Sequence, residues 1–99
     1  MILRLFADWI YDTKKVRENL NKSKQDLQKS KDFRKHCLES AEKCSELTDT
    51  FLMFGDNVRA LESLKMWKSN LKFAEDAQKR NNSYIGIILQ YESWLSRCS

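Results

Sequence analysis

Lys29-Ser30-Lys31-Asp32 is the stretch on which the fold turns. Ser30 and Asp32 are residues of the kind that cap helix N-termini, and Asn21-Lys22-Ser23 offers the same chemistry one stretch earlier. Neither stretch contains Gly or Pro, the residues that most readily break a helix. Two architectures therefore compete. If the chain folds back at residues 29–32, the molecule is a bundle of short helices. If it does not, one helix runs unbroken to Phe54.

Charge favours the break. Residues 14–35 carry nine basic side chains, whereas residues 36–56 carry Lys43 against Glu39, Glu42, Glu46, Asp49 and Asp56. Folding back would lay the basic block beside the acidic one. An unbroken helix would instead face the basic block with residues 75–96, which offer Glu75, Asp76 and Glu92 but add Lys79 and Arg80. Exposed ion pairs contribute less than about 1 kcal/mol each, so the preference is slight. A seven-residue seam can still be traced across the junction through Trp9, Thr13, Val16, Leu20, Ser23, Leu27, Ser30, Arg34, Cys37, Ala41, Cys44, Thr48 and Phe51. Its middle is polar.

The boundaries on either side are clearer. Ile2, Leu5, Phe6, Trp9 and Ile10 recur at helical spacing and predict an amphipathic first helix. Gly55 is one of two glycines in a chain without proline, and it follows the apolar run Phe51-Leu52-Met53-Phe54. It suits the left-handed residue that ends a helix, with Asp56 or Asn57 capping the next one. Beyond it, Ala60, Leu64, Trp67, Leu71 and Ala74 form one apolar face, and Val58, Met66 and Phe73 fall roughly opposite. A helix with two apolar faces is central in its bundle or has a second partner. Arg80-Asn81-Asn82-Ser83 punctuates the chain before a last helix whose face is Tyr84, Ile87, Ile88, Tyr91, Trp94, Leu95 and Cys98. Gly86 lies on the other side of that helix, where it suits close packing.

Ninety-nine residues make a single domain with one modest core. The scarcity of Gly and Pro leaves little to build the turns of a sheet. The expected fold is all-α, an antiparallel bundle of about four helices near 2–29, 32–54, 57–80 and 83–98. The alternative is a long helical hairpin that dimerises into a four-helix bundle.

Chemistry-bearing patterns are sparse. The single His36 is adjacent to Cys37, and neighbours on a helix point about 100° apart, so the imidazole is not placed to activate that thiol. Cys37, Cys44 and Cys98 lack the close pairs and fourth ligand of a structural zinc site, and free thiols suit a reducing cytoplasm. Glycine-rich phosphate loops and hydrolase motifs are missing from the sequence, and no stretch is long and apolar enough to span a membrane. The expectation is a non-enzymatic, cytoplasmic protein-interaction module with no cofactor, metal or evident small-molecule substrate, acting as a homodimer or as a small inhibitor or adaptor of a larger complex. Val58, Met66 and Phe73 are its candidate partner-binding residues. The alternative rests on two stripes of base, Lys15/Lys22/Lys29 and Arg17/Lys24/Lys31. Phosphate tracking on nucleic acid or an anionic membrane needs little more than such charge.

Overall fold

The computed structural model describes the backbone of residues 2–98 and the side chains of residues 12–97. It contains two helices, α1 (Ile2–Met53, 52 residues) and α2 (Asn57–Cys98, 42 residues), packed antiparallel as a hairpin. Fifty-two residues at 1.5 Å each give a rod of about 78 Å, and the principal extents are 79 × 15 × 13 Å. The all-α expectation holds. The count of four helices does not, because the breaks expected near residues 30–31 and 81–82 are absent.

The reason lies in what the supposed capping residues do. Ser30 is buried against α2, and its hydroxyl donates to the Ala77 carbonyl at 3.5 Å. The Asp32 carboxylate accepts from Gln28 Nε2 at 3.0 Å, a bond along the surface of an intact helix. At the second junction Asn82 Oδ1 accepts from Gln78 Nε2, and Ser83 Oγ donates back to the Lys79 carbonyl. Asn81 is buried in the seam. Ser30, Asp32, Asn82 and Ser83 are thus engaged within or between helices, and with no Gly or Pro in either stretch nothing interrupts the backbone ladder.

The tip is the turn expected from the sequence. Gly55 has φ 74°, the left-handed region. Its amide donates to the Leu52 carbonyl, and the Asp56 amide donates to the Phe51 carbonyl at 2.8 Å. That pair of bonds is the Schellman arrangement, which satisfies the last carbonyls of α1. Asp56 then caps α2: its Oδ1 accepts from the Arg59 amide at 3.2 Å and its Oδ2 lies 3.5 Å from Arg59 Nε. The Arg59 guanidinium also sits 6.0 Å from the centre of the Phe51 ring. Of the apolar run at the tip, Phe51 is half-buried, whereas Leu52, Met53 and Phe54 are exposed, with Phe54 79% accessible.

The seven-residue seam runs the described length of α1. Thr13, Leu20, Ser30, Cys37, Ala41 and Cys44 are buried, and Val16, Ser23, Leu27, Arg34, Thr48 and Phe51 are half-buried. Trp9 and the apolar face over residues 2–10 lie outside the described side chains. In α2 the matching seam follows alternating steps of three and four through Ala60, Ser63, Trp67, Asn70, Ala74, Ala77, Asn81, Tyr84, Ile88 and Tyr91. This differs from the expected face. Ser63 (7% accessible) and Asn70 occupy the positions that the apolar pattern gives to Leu64 and Leu71, and Leu71 is exposed.

A β-carbon added at Gly86 would meet no neighbouring side chain or opposing backbone within 4 Å, so this glycine does not serve close packing. Its replacement by Ala should raise stability by about 0.5–1 kcal/mol, because helical Gly loses more backbone entropy. Gly55→Ala should lower stability by about 1–2 kcal/mol, since the left-handed conformation crowds a β-carbon. Chemical denaturation of the two variants should therefore move the midpoint in opposite directions. Asn81 is 3% accessible and its Oδ1 has no hydrogen-bond partner. Asn81→Ala, which suits a seam already lined by alanines, should raise stability by about 1 kcal/mol by removing an unsatisfied acceptor, measured in the same way.

Candidate interaction surface

Besides the Ser30–Ala77 hydrogen bond, three side-chain contacts between the helices mark how they align. Asn70 Nδ2 lies 3.8 Å from Cys44 Sγ in the seam. Arg80 stacks on Phe33, with its guanidinium carbon 5.6 Å from the ring centre. Lys24 Nζ pairs with Glu92 Oε1 at 3.4 Å. The last two lie on opposite sides of the seam, and seven-residue steps from each define a flank of the hairpin.

The flank that contains Phe33 and Arg80 is rich in large apolar groups. From α1 it takes Phe33, Leu47 and Phe54, and from α2 it takes Met66, Phe73 and Ile87, all exposed. Arg80 lies over Phe33 within this strip, an arrangement that holds a cation against an aromatic face. An open groove of about 380 Å³ beside it is lined by Lys79, Arg80, Ser83, Tyr84 and Ile87. The other flank takes Leu38 and Leu52 from α1 and Leu64, Leu71 and Ile85 from α2. Near the tip it has a groove of about 260 Å³ lined by Thr48, Leu52, Asn57, Ala60, Leu61 and Leu64.

The three residues expected to bind a partner are all exposed: Val58 72%, Met66 60% and Phe73 51%. Met66 and Phe73 belong to the phenylalanine flank, one above the other at seven-residue spacing. Val58 lies away from them at the start of α2, near Phe54 and Met53. Sequence reasoning misses Phe33, Leu47 and Phe54 as members of this surface, because a shorter second helix would place them in its core. Their signal is the column Phe33–Ser40–Leu47–Phe54, one step outside the seam.

The two basic stripes are not brought together. Lys15 and Lys24 are nine residues apart, which at 100° per residue places them on opposite sides of α1. Lys15, Lys22 and Lys29 border the phenylalanine flank, whereas Arg17, Lys24 and Lys31 lie on the leucine flank, where Lys24 is paired to Glu92. Each side therefore presents one stripe of three cations at intervals of about 10 Å, not the two stripes as one continuous patch.

Among the described residues, no three His, Cys, Asp or Glu side chains are grouped as a metal site. Cys37 and Cys44 are free and buried in the seam, and His36 is exposed beside them. No described helix is long and apolar enough to cross a membrane. Compared with family models, curated proteins and solved structures, the chain matches none.

Proposed function

We propose that the protein is a non-enzymatic interaction module that binds another protein through the phenylalanine flank of its hairpin. The supporting observation is the strip of exposed large apolar side chains that spans both helices, with Phe33, Leu47, Met66 and Phe73 at its centre. Water contact with such a strip is unfavourable by about 25 cal/mol per Å² of apolar area, and covering it with a complementary helix face recovers that energy. Contiguous apolar patches on monomeric proteins seldom exceed a few hundred Å², and larger ones mark interaction sites. The mode is helix against helix, read through anchors at seven-residue spacing.

The basic stripes favour nucleic acid or anionic membrane less, because each side of the rod carries only three of the six cations and one of these is paired. Single-sided phosphate tracking draws its affinity from the number of phosphates neutralised at once.

A photocrosslinking residue placed at Phe73 should capture a protein partner at high yield, whereas one placed at Lys72 on the outer face should not. Met66→Glu combined with Phe73→Glu should leave the helical circular-dichroism signal unchanged and reduce association at least tenfold. If position 73 captures no protein, or if the double variant associates as the wild type does, the assignment fails.

A further inference from the structure

The charges that border the phenylalanine flank identify its occupant. On the α1 side the border carries Lys15, Lys22, Lys29 and Lys43, and on the α2 side Glu62 and Asp76; all are exposed, and among the described residues none of these six is in an ion pair. The strip thus has a positive outer edge on α1 and a negative outer edge on α2, and one position further in the signs reverse on both helices, with Asp26 on α1 and Arg59 and Arg80 on α2. A surface of this kind is complementary to itself. We propose that its partner is a second copy of this chain, placed face to face about a two-fold axis parallel to the long axis, so that α1 of each copy lies over α2 of the other. This rests on the reading of the phenylalanine flank as a protein-binding face.

The direction of the axis follows from the edges. With the axis along the rod, the two tips lie at the same end and each positive edge covers the other copy's negative edge. Alignment by sevens from the Phe33–Arg80 contact puts Asp76 between the levels of Lys29 and Lys43. Leu47 then meets the second copy's Met66, and Ser40 meets its Phe73, a small residue opposite a large one. With the axis across the rod the tips point in opposite directions, and lysine edge meets lysine edge while acid edge meets acid edge. Like charges facing across an interface are unfavourable. An isologous contact of the first kind closes as a dimer.

The areas agree. The chain exposes 7937 Å², against about 5,900 Å² for a compact protein of its mass. The face of the paired region is about 60 Å long and, at about 10 Å per helix, about 20 Å wide. That exceeds the roughly 800 Å² per partner of a standard stable interface. Stacking two hairpins also supplies the second layer that a packed core requires.

The experiment is the solution mass by light scattering from about 1 to about 200 μM, a range that brackets micromolar dissociation constants, followed by a distance between paramagnetic labels at the tip. The labels are attached to Met53→Cys in a Cys98→Ser background, with the buried Cys37 and Cys44 left in place. The expected result is a dimer at the higher concentrations whose tip labels lie within about 25 Å of each other. Phe73→Glu should raise the dimer dissociation constant at least tenfold, while Leu61→Glu on the opposite flank should leave it unchanged; circular dichroism checks that both variants remain helical. A chain that stays monomeric up to the highest concentration overturns the second-copy assignment. Capture of a different protein at position 73 would then leave the binding face itself standing. Tip labels about 40 Å or more apart overturn the two-fold arrangement, and a dimer broken by Leu61→Glu but not by Phe73→Glu overturns the choice of face.

Discussion

The structure depends on how closely α1 and α2 approach. Over the middle of the rod the seam is made of small residues, Ser30, Cys37, Ala41 and Cys44 on one side and Ala74 and Ala77 on the other, whereas Leu20, Trp67 and Ile88 enter it on either side of that stretch. The Ser30 hydroxyl reaches a backbone carbonyl of the opposite helix directly. Between backbones this near there is little room for a leucine or a phenylalanine. Over this middle stretch the large side chains, Phe33 and Phe73 among them, are displaced to the flanks, and the apolar surface exposed there is a consequence of the small-residue seam.

That arrangement has an energetic cost. Among the described residues, Leu20 and Ile88 are the only large ones of the buried apolar set, and no large side chain is completely enclosed. Burying an alanine removes little apolar area from water, whereas a leucine or isoleucine contributes about 1.5–3 kcal/mol. The hairpin compensates by length, repeating modest contacts over many turns, and by a well-formed tip in which Gly55, Asp56 and Arg59 satisfy the helix ends. The Lys24–Glu92 pair is half exposed on both sides and adds less than about 1 kcal/mol. Polar groups in the seam, Asn70 and Asn81 among them, favour one alignment of the helices at the expense of stability.

Much of this is legible in the residues. Gly55 has a single economical use after an apolar run in a proline-free chain, so the corner can be read directly. The seam of α1 can also be traced position by position, including its polar members Ser23, Ser30 and Arg34. What misleads is the dual chemistry of Ser, Asn and Asp. The same Ser30 that can cap a new helix can instead lie in a tight interface, and the choice is made by Ala77, 47 residues away. The α2 face is displaced by one position for a related reason. An apolar pattern selects Leu64 and Leu71, but a close interface selects the smaller Ser63 and the hydrogen-bonding Asn70. Local pattern reports hydrophobicity, whereas the approach distance of the helices is a property of both sequences together.

The single turn at Gly55 also sets an order in which the hairpin can assemble. Every contact between the helices spans the tip, so its separation along the chain grows with its distance from Gly55. Arg59 and Phe51 are neighbours across the turn. Asn70 and Cys44 are 26 residues apart, Ala77 and Ser30 are 47 apart, and Glu92 and Lys24 are further still. Closing a loop costs entropy that rises with its length, but each pair formed near the tip shortens the loop left for the next. The inexpensive route is a zipper that starts at the Schellman turn and runs outward. Reversed, the same geometry makes the far end the first to open, so strands of the pair can part there while the tip stays closed. A strained or misplaced tip would delay every contact beyond it, which gives one glycine control over the pace at which the whole rod forms.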